Sequence, residues 1–348
     1  MPPFSDLNTT WFALIGLLWT GYFFLEGFDF GAAVVTPFVI RDEIDRRLCL
    51  NAVGPFWDGN EVWLLTAGGA MFAAFPLWYA RLFSGFYLAL FLVLIALIAR
   101  GVSFEFRQRD ERAGWRKTWD VVNFVGSFVP AVVWGVAFTD LVHGVPLSPG
   151  GHYFAGLPGL LHPIALVGGL ASLAVFILHG SVFLALKTSG DVARRCRRAA
   201  GYVGIAAVAL LGGAIGWVAA DSRPTVAGSV TALLPLALGI LAVVAVVAAT
   251  ALAFAHREGW AFLATGTAIV AAMGAVFSRM FPLVLPASNR AANALTIAVS
   301  ASQHNTLVVM TIVAACFTPF VLAYQGWTYW VFRQRLSRPV VTAVPAPD

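Results

Sequence analysis

Charge is what this chain has least of. Acidic and basic side chains make up 11% of its 348 residues, against about 25% in an ordinary soluble domain. A water-facing globular surface cannot be built from so few. Lysine is nearly absent: Lys117 and Lys187 stand alone beside 20 arginines. Cysteine is limited to Cys49, Cys196 and Cys316, far apart and without C-x-x-C spacing, which excludes a disulfide framework and a thiolate metal knuckle. No basic stretch precedes the first apolar run and no small-residue cleavage site follows it, so that run is expected to be a retained span rather than a signal peptide.

Apolar sequence fills the space that charge leaves. Hydrophobic residues are 59% of the chain, gathered in runs near the roughly 20 residues that cross a bilayer as a helix. Pro, Gly and charge punctuate them into nine expected helices, at about 10–31, 57–76, 82–100, 119–139, 162–186, 200–220, 229–254, 260–280 and 305–331. Only helices or closed barrels satisfy the backbone in lipid, and runs of this length select helices. The fold expected is an all-α polytopic membrane protein.

Orientation follows from the basic residues. Eighteen of the 22, from Arg41, Arg46 and Arg47 through the 100–117, 187–198 and 257 regions to Arg333, Arg335 and Arg338, fall in one alternating set of loops. Only Arg81, Arg223, Arg279 and Arg290 lie toward the other side. The positive-inside rule makes the first side cytoplasmic, with the N-terminus outside and the C-terminus inside. The net charge of +5 thus reads as a topology signal, not a nucleic-acid surface. The Pro/Gly/Ser-rich loops Leu141–Leu161 and Phe281–Asn305 read as ordered outer caps, and Thr342–Asp348 as a frayed tail. There is no low-complexity segment and no close internal repeat.

Four carboxylates stand out. Glu26 and Asp29 sit near the inner end of the first expected helix, and Asp58 and Glu61 near the inner end of the second, each pair spaced i, i+3 on one helix face. A carboxylate inside a span is costly unless paired, hydrated or protonated, which makes it a functional candidate. Such groups suit proton uptake; pairing with cytoplasmic arginines or capping of helix ends remains the plainer alternative, chiefly for Glu26 and Glu61. Asp58, beside Gly59 and Asn60 and framed by Trp57 and Trp63, favours function. Glu105 and Asp120 are expected at the mouth of the same route. Among the histidines, His143 and His152 fall in an outer loop, His162, His256 and His304 at helix ends, and only His179 inside a span. Heme ligation in membrane helices draws on such interior residues, so a single one points to a packing or polar contact. No zinc or di-iron spacing is present.

Several motifs together resemble subunit II of cytochrome bd. They are Glu26-Gly27-Phe28-Asp29-Phe30-Gly31, Trp57-Asp58-Gly59-Asn60, Val62-Trp63-Leu64 with Thr66-Ala67-Gly68-Gly69-Ala70, Phe83-Ser84-Gly85-Phe86-Tyr87, Gly126-Ser127-Phe128-Val129-Pro130 and, more weakly, Phe281-Pro282-Leu283-Val284-Leu285-Pro286. The resemblance is dense over 21–144 and thinner beyond. It implies two four-helix bundles plus one peripheral helix: 1–144, 145–285, and 286–348 for the last outer loop, ninth helix and tail. It implies a heme-free subunit in a bacterial inner membrane, paired with a subunit I that carries heme b and heme d and oxidises quinol while dioxygen is reduced to water. Asp58 matches a carboxylate of the family's proton path; Glu105 and Asp120 match nearby acids less closely. Glu26 replaces an Asp of some relatives, and Glu61 a frequent Gln. A structural quinone, bound lipid and a small accessory subunit are left open, and the arginine bias of a GC-rich genome makes menaquinol a candidate substrate. Two rivals are a proton-coupled secondary transporter, for which Gly68-Gly69, Gly168-Gly169 and Gly212-Gly213 would be helix breaks rather than close-packing sites, and a scaffold with inert acids.

Overall fold

The computed structural model describes residues 6–220 and 233–338. Arg223, the first residues of the expected 229–254 span and the Thr342–Asp348 tail lie outside the described residues.

The first half opens with α1 (Leu7–Val39), capped by Asp6, whose carboxylate accepts from the Asn8 amide at 3.1 Å. After α1 come the short amphipathic α2 (Glu43–Val53), α3 (Trp57–Ala74), α4 (Pro76–Gly85), α5 (Tyr87–Phe106) and α6 (Ala113–His143). The second half contains the one-turn α7 (Gly156–Leu160), then α8 (Pro163–Lys187), α9 (Gly190–Ala220), α10 (Leu233–Phe254) and α11 (Glu258–Met280). A small antiparallel pair, β1 (Leu283–Leu285) with β2 (Leu295–Thr296), then leads through α12 (Ile297–Ser300) to α13 (His304–Val331). Among the described residues the fold is therefore helical, with one small strand pair in the last cap.

Among the described residues, eight helices are long and apolar enough to cross a membrane: α1, α5, α6, α8, α9, α10, α11 and α13. The expected 57–76 span is helical as α3, but its 18 residues carry Asp58, Asn60 and Glu61. Two boundaries differ in a way that matters. α1 runs eight residues beyond the expected end at 31, and α5 continues six residues beyond Arg100. Glu26 and Asp29 consequently lie about 15–20 Å from the end of α1 at 1.5 Å per residue, deeper than the one or two turns expected. The cause is that Gly27, Gly31 and the charges of this stretch are tolerated inside α1 by tertiary contacts, where they had read as a pause.

Glycine sets the closeness of α1 and α8. A Cβ on Gly31 would stand 1.6 Å from the Phe176 carbonyl oxygen, and one on Gly180 would stand 2.1 Å from the Ala32 nitrogen, so the two backbones touch. Around this contact the core is aromatic. Trp19 meets Trp134 edge-on at 5.0 Å, and Phe23 meets Phe138 edge-on at 5.1 Å. A second, smaller cluster joins α2 to α1 and α8, with Phe28 stacked on Phe183 at 4.0 Å.

Ion pairs collect the arginine-rich segments at one end of the molecule. Asp45 of α2 receives Arg195 of α9 and, at 2.5 Å, Arg338 from beyond α13; Asp42 also receives Arg338, at 2.6 Å. Glu258 at the start of α11 takes Arg197 at 2.6 Å. The Lys187 ammonium donates to the Phe332 and Gln334 carbonyls, tying the end of α13 to the end of α8. At the opposite end Asp140 of α6 pairs with His162 at 2.6 Å, and the His143 ring, which closes α6 rather than lying in a loop, sits 4.7 Å from that of His162.

Candidate functional site

The site is organised by a cation in the interior of the first half. Arg100, on α5, is fully buried and pairs directly with the equally buried Glu26 of α1. Its Nη1 also stands 3.7 Å from Glu61 Oε2 of α3. The guanidinium lies over the Phe30 and Phe104 rings at 5.1 and 5.7 Å, where ring faces attract a cation. α6 presses in from behind at Gly126: a Cβ there would be 2.7 Å from the Ala96 carbonyl oxygen and 2.8 Å from Arg100 Cβ. The Gly126-Ser127 motif is thereby explained as the surface against which Arg100 is held.

Asp29, one turn beyond Glu26, is also fully buried. Its Oδ2 accepts from Asn60 Nδ2 at 2.7 Å. Asn60 Oδ1 in turn accepts from the Tyr329 hydroxyl at 2.9 Å and from Gln325 Nε2 at 3.3 Å, both on α13. The Trp63 indole donates to Gln325 Oε1 at 2.8 Å, and its ring rests against Gly21, where a Cβ would stand 2.3 Å away. Trp57 stacks on Phe104 at 4.9 Å. Of the two tryptophans expected to frame Asp58, Trp57 thus stacks on Phe104 and Trp63 hydrogen-bonds Gln325.

Four polar atoms in this group, Glu26 Oε2, Asp29 Oδ1 and Arg100 Nε and Nη2, are buried without a hydrogen-bond partner. Buried polar atoms nearly always have one. A region with this many unmet donors and acceptors is polar enough to accept water.

The expected site residues divide in two. Glu26, Asp29, Glu61 and Asn60 come together, with Trp57 and Trp63 at the edge. Asp58 does not join them: it sits exposed in the first turn of α3 and makes no hydrogen bond or ion pair among the described residues. Glu105 is exposed too, within the last turn of α5 rather than beyond the helix, and does not meet Asp120. Asp120 instead accepts from Arg107 at 2.6 Å and pairs with Arg46 at 3.2 Å. Arg107 grips Glu43 of α2 through both terminal nitrogens, at 3.0 and 2.8 Å, and its hydrogen bonds hold the Glu43 carboxyl below its ordinary range. Glu43 fills the place expected for Glu105, because the helical rotation at residue 105 points outward.

Sequence reasoning missed Arg100, counted with the basic residues that flank helices, and Gln325 and Tyr329. The signal for Arg100 was available: the run continues Gly101-Val102-Ser103-Phe104 before charge becomes dense. Nothing local marks Gln325 or Tyr329. His179 is fully buried, with Nδ1 2.6 Å from the Thr265 hydroxyl and Nε2 3.0 Å from the Phe24 carbonyl oxygen, and its ring stacked on Phe262 at 4.7 Å. Both ring nitrogens are engaged within the protein.

Comparison with known proteins gives a consistent answer. The family model described as cytochrome bd terminal oxidase subunit II matches residues 7–332. Cytochrome bd ubiquinol oxidase subunit 2 of Bacillus subtilis (strain 168) is 40% identical over 334 residues, covering 96% of this chain and 98% of the relative. Cytochrome bd-I ubiquinol oxidase subunit 2 of Escherichia coli (strain K12) is 35% identical over 372 residues, covering 97% of each. A chain in the solved structure of bd oxidase from Geobacillus thermodenitrificans aligns with a TM-score of 0.76 over 94% of this chain and 98% of that one, at 14% identity; that likeness speaks for the fold.

Proposed function

The chain belongs to the cytochrome bd terminal oxidase subunit II family, and from that premise we propose that it is the heme-free subunit of a quinol oxidase in a bacterial inner membrane. Its partner, subunit I, carries heme b and heme d, and the pair couples quinol oxidation to reduction of dioxygen to water. The observation that carries this reading is near-full-length identity of 40% to a cytochrome bd ubiquinol oxidase subunit 2. His179 supports the heme-free assignment, since both its nitrogens are spent on Thr265 and Phe24.

This subunit supports subunit I and contributes to proton uptake from the cytoplasm. The N-terminus is outside and the C-terminus inside, which the gathering of Arg46, Arg107, Arg195, Arg197 and Arg338 at one end supports. Nine transmembrane helices form two four-helix bundles, over 1–144 and 145–285, with the ninth helix beyond. In the proton path the exposed Asp58 and Glu105 are entry groups toward the cytoplasmic end of this chain. Glu26, Asp29 and Glu61, grouped about Arg100, are the interior carboxylates that exchange protons through bound water. Asp120, locked between Arg46 and Arg107, is a structural anchor beside that entry. Arg100 offsets the charge of the interior acids, so that a proton can leave one of them without an uncompensated buried carboxylate remaining.

The test is to purify the chain with its native membrane partners and record a reduced-minus-oxidised visible spectrum together with quinol-driven oxygen uptake. Co-purifying b- and d-type bands with oxygen consumption are expected. A colourless preparation that takes up no oxygen with partners intact would overturn the oxidase assignment in favour of proton-coupled transport.

A further inference from the structure

α13 is attached sparingly to the rest of the molecule. Leu307 is its one buried residue, and most of its length is exposed. Toward its C-terminal end, however, Gln325 and Tyr329 are half-buried, at i, i+4 on one helix face. Polar side chains in a span often serve only to join helices, and for that purpose donor and acceptor could be exchanged freely. Between α13 and α1 the order of donation is fixed.

It is set at Trp63, whose indole can only donate and whose ring is wedged against Gly21. The indole gives its hydrogen to Gln325 Oε1 at 2.8 Å, which leaves Gln325 Nε2 facing Asn60 at 3.3 Å. Two amide NH₂ groups do not bond each other, so the Asn60 atom there is Oδ1. The Tyr329 hydroxyl donates to the same oxygen at 2.9 Å. Asn60 Nδ2 is thereby turned toward α1, where it reaches Asp29 Oδ2 at 2.7 Å and the Leu25 carbonyl at 3.5 Å. Asp29 Oδ2 accordingly accepts a hydrogen bond and holds no proton. A proton on this carboxyl belongs on Oδ1, the oxygen that is buried without a hydrogen-bond partner. Asp29 also borders a cavity of about 20 Å³ shared with Thr36, Asp120 and Asn123, large enough for one water.

We propose that Gln325 and Tyr329 are positioning residues for proton uptake: by orienting the Asn60 amide they confine the exchangeable proton of Asp29 to Oδ1. The proposal rests on the reading of Asp29 as a proton-exchanging carboxylate. The two donors are redundant, because either alone keeps Asn60 Oδ1 facing α13. With both gone the amide is free to turn about, since its oxygen and nitrogen have nearly the same shape, and Asn60 Oδ1 then accepts from a protonated Asp29. α13 thus acts on an interior acid through one amide of α3.

The test is infrared spectroscopy of the purified assembly in H₂O and D₂O. A deuterium-sensitive carbonyl band of a protonated carboxyl that is lost in Asp29→Asn identifies Asp29. In wild type this carbonyl is Oδ2, which accepts from Asn60. Gln325→Met and Tyr329→Phe should each leave the band in place and oxygen uptake within about threefold of wild type, the scale of one weak neutral hydrogen bond. The double variant should move the band to higher wavenumber, as a carbonyl does on losing a donor. It should also slow uptake at least about tenfold, the lower limit for a hydrogen bond to a charged group. Trp63→Phe combined with Tyr329→Phe keeps Gln325 but releases its orientation, and should move the band the same way; a role of Gln325 in packing alone would leave it unmoved. An unmoved band in both double variants, or a single variant as slow as the Gln325→Met/Tyr329→Phe double, overturns the proposal. Absence of any Asp29 band removes the proton-exchanging role of Asp29 and the proposal with it, so the two failures are told apart.

Discussion

Replacing Arg100 by Met tests whether the interior acids depend on their cation. The methionine keeps an unbranched apolar stem in the space between α1, α3 and α6 but removes the guanidinium. Glu26 and Asp29, both fully buried, and the nearby Glu61 would then share a region with no counter-charge. Removing one partner of a buried pair costs about 3–5 kcal/mol, and a lone charge at a helix centre in lipid about 2.5–3.5 kcal/mol. Loss of the contacts with the Phe30 and Phe104 faces adds roughly 0.5–2 kcal/mol. A destabilisation of about 4 kcal/mol is therefore expected, measured by denaturant titration of the purified assembly followed through tryptophan fluorescence. Glu26→Gln should cost less, about 1–3 kcal/mol, because Arg100 retains Glu61 at 3.7 Å. The double variant should recover part of the loss, with a coupling of about 1–3 kcal/mol. A single Arg100→Met variant within about 1 kcal/mol of wild type, or strict additivity in the double variant, would refute the reasoning.

Asp58→Asn should leave assembly and melting unchanged, since the side chain is exposed and unbonded, while slowing quinol-driven oxygen uptake at least about tenfold, at or below the roughly 10²–10⁴ typical of a proton-transfer group; full turnover would remove Asp58 from the path. Gly180→Ala would drive a methyl to 2.1 Å from the Ala32 nitrogen, and the α1–α8 contact should lose about 1–3 kcal/mol or more, read as a lower melting point or lost assembly. Asp42, which pairs with Arg338 at 2.6 Å, is held below its ordinary 3.8 by the Asp45 amide and then by Arg338. Depressed carboxyls stabilise above their unfolded values and lose that stabilisation as pH falls through the folded ones, so residues 333–338 should become protease-accessible below about pH 4. Cleavage that does not change between neutral pH and pH 3 would count against this latch.

The parts of the fold that were legible are those a bilayer dictates. The helical class and rough helix positions follow from apolar run length, because an unsatisfied backbone in lipid leaves few alternatives, whereas the ninth expected span, 57–76, is not among the eight helices of spanning length and hydropathy. The boundaries were less legible where a charge falls inside a run. Arg100 and the Glu26–Gly31 stretch both read as pauses, since a charge next to an apolar segment ordinarily marks its end. In the structure each makes the other tolerable: α5 continues past Arg100 because Glu26 receives it, and α1 continues past Asp29 because Asn60 does. The i, i+3 spacing correctly placed Glu26 with Asp29, but spacing fixes only which residues share a face, not what that face meets. For that reason the Asp58–Glu61 pair splits between surface and interior, Glu61 within reach of Arg100 and Asp58 exposed. Gln325 and Tyr329 reach Asn60 across separations of 265 and 269 residues, and no local pattern encodes that. The general lesson lies in pairs of opposite charge on different spans: when each is implausible alone, reading both as interior and mutually compensating is more economical than reading both as helix ends. Here that single inference would have lengthened α1 and α5 together and located the site before any coordinates.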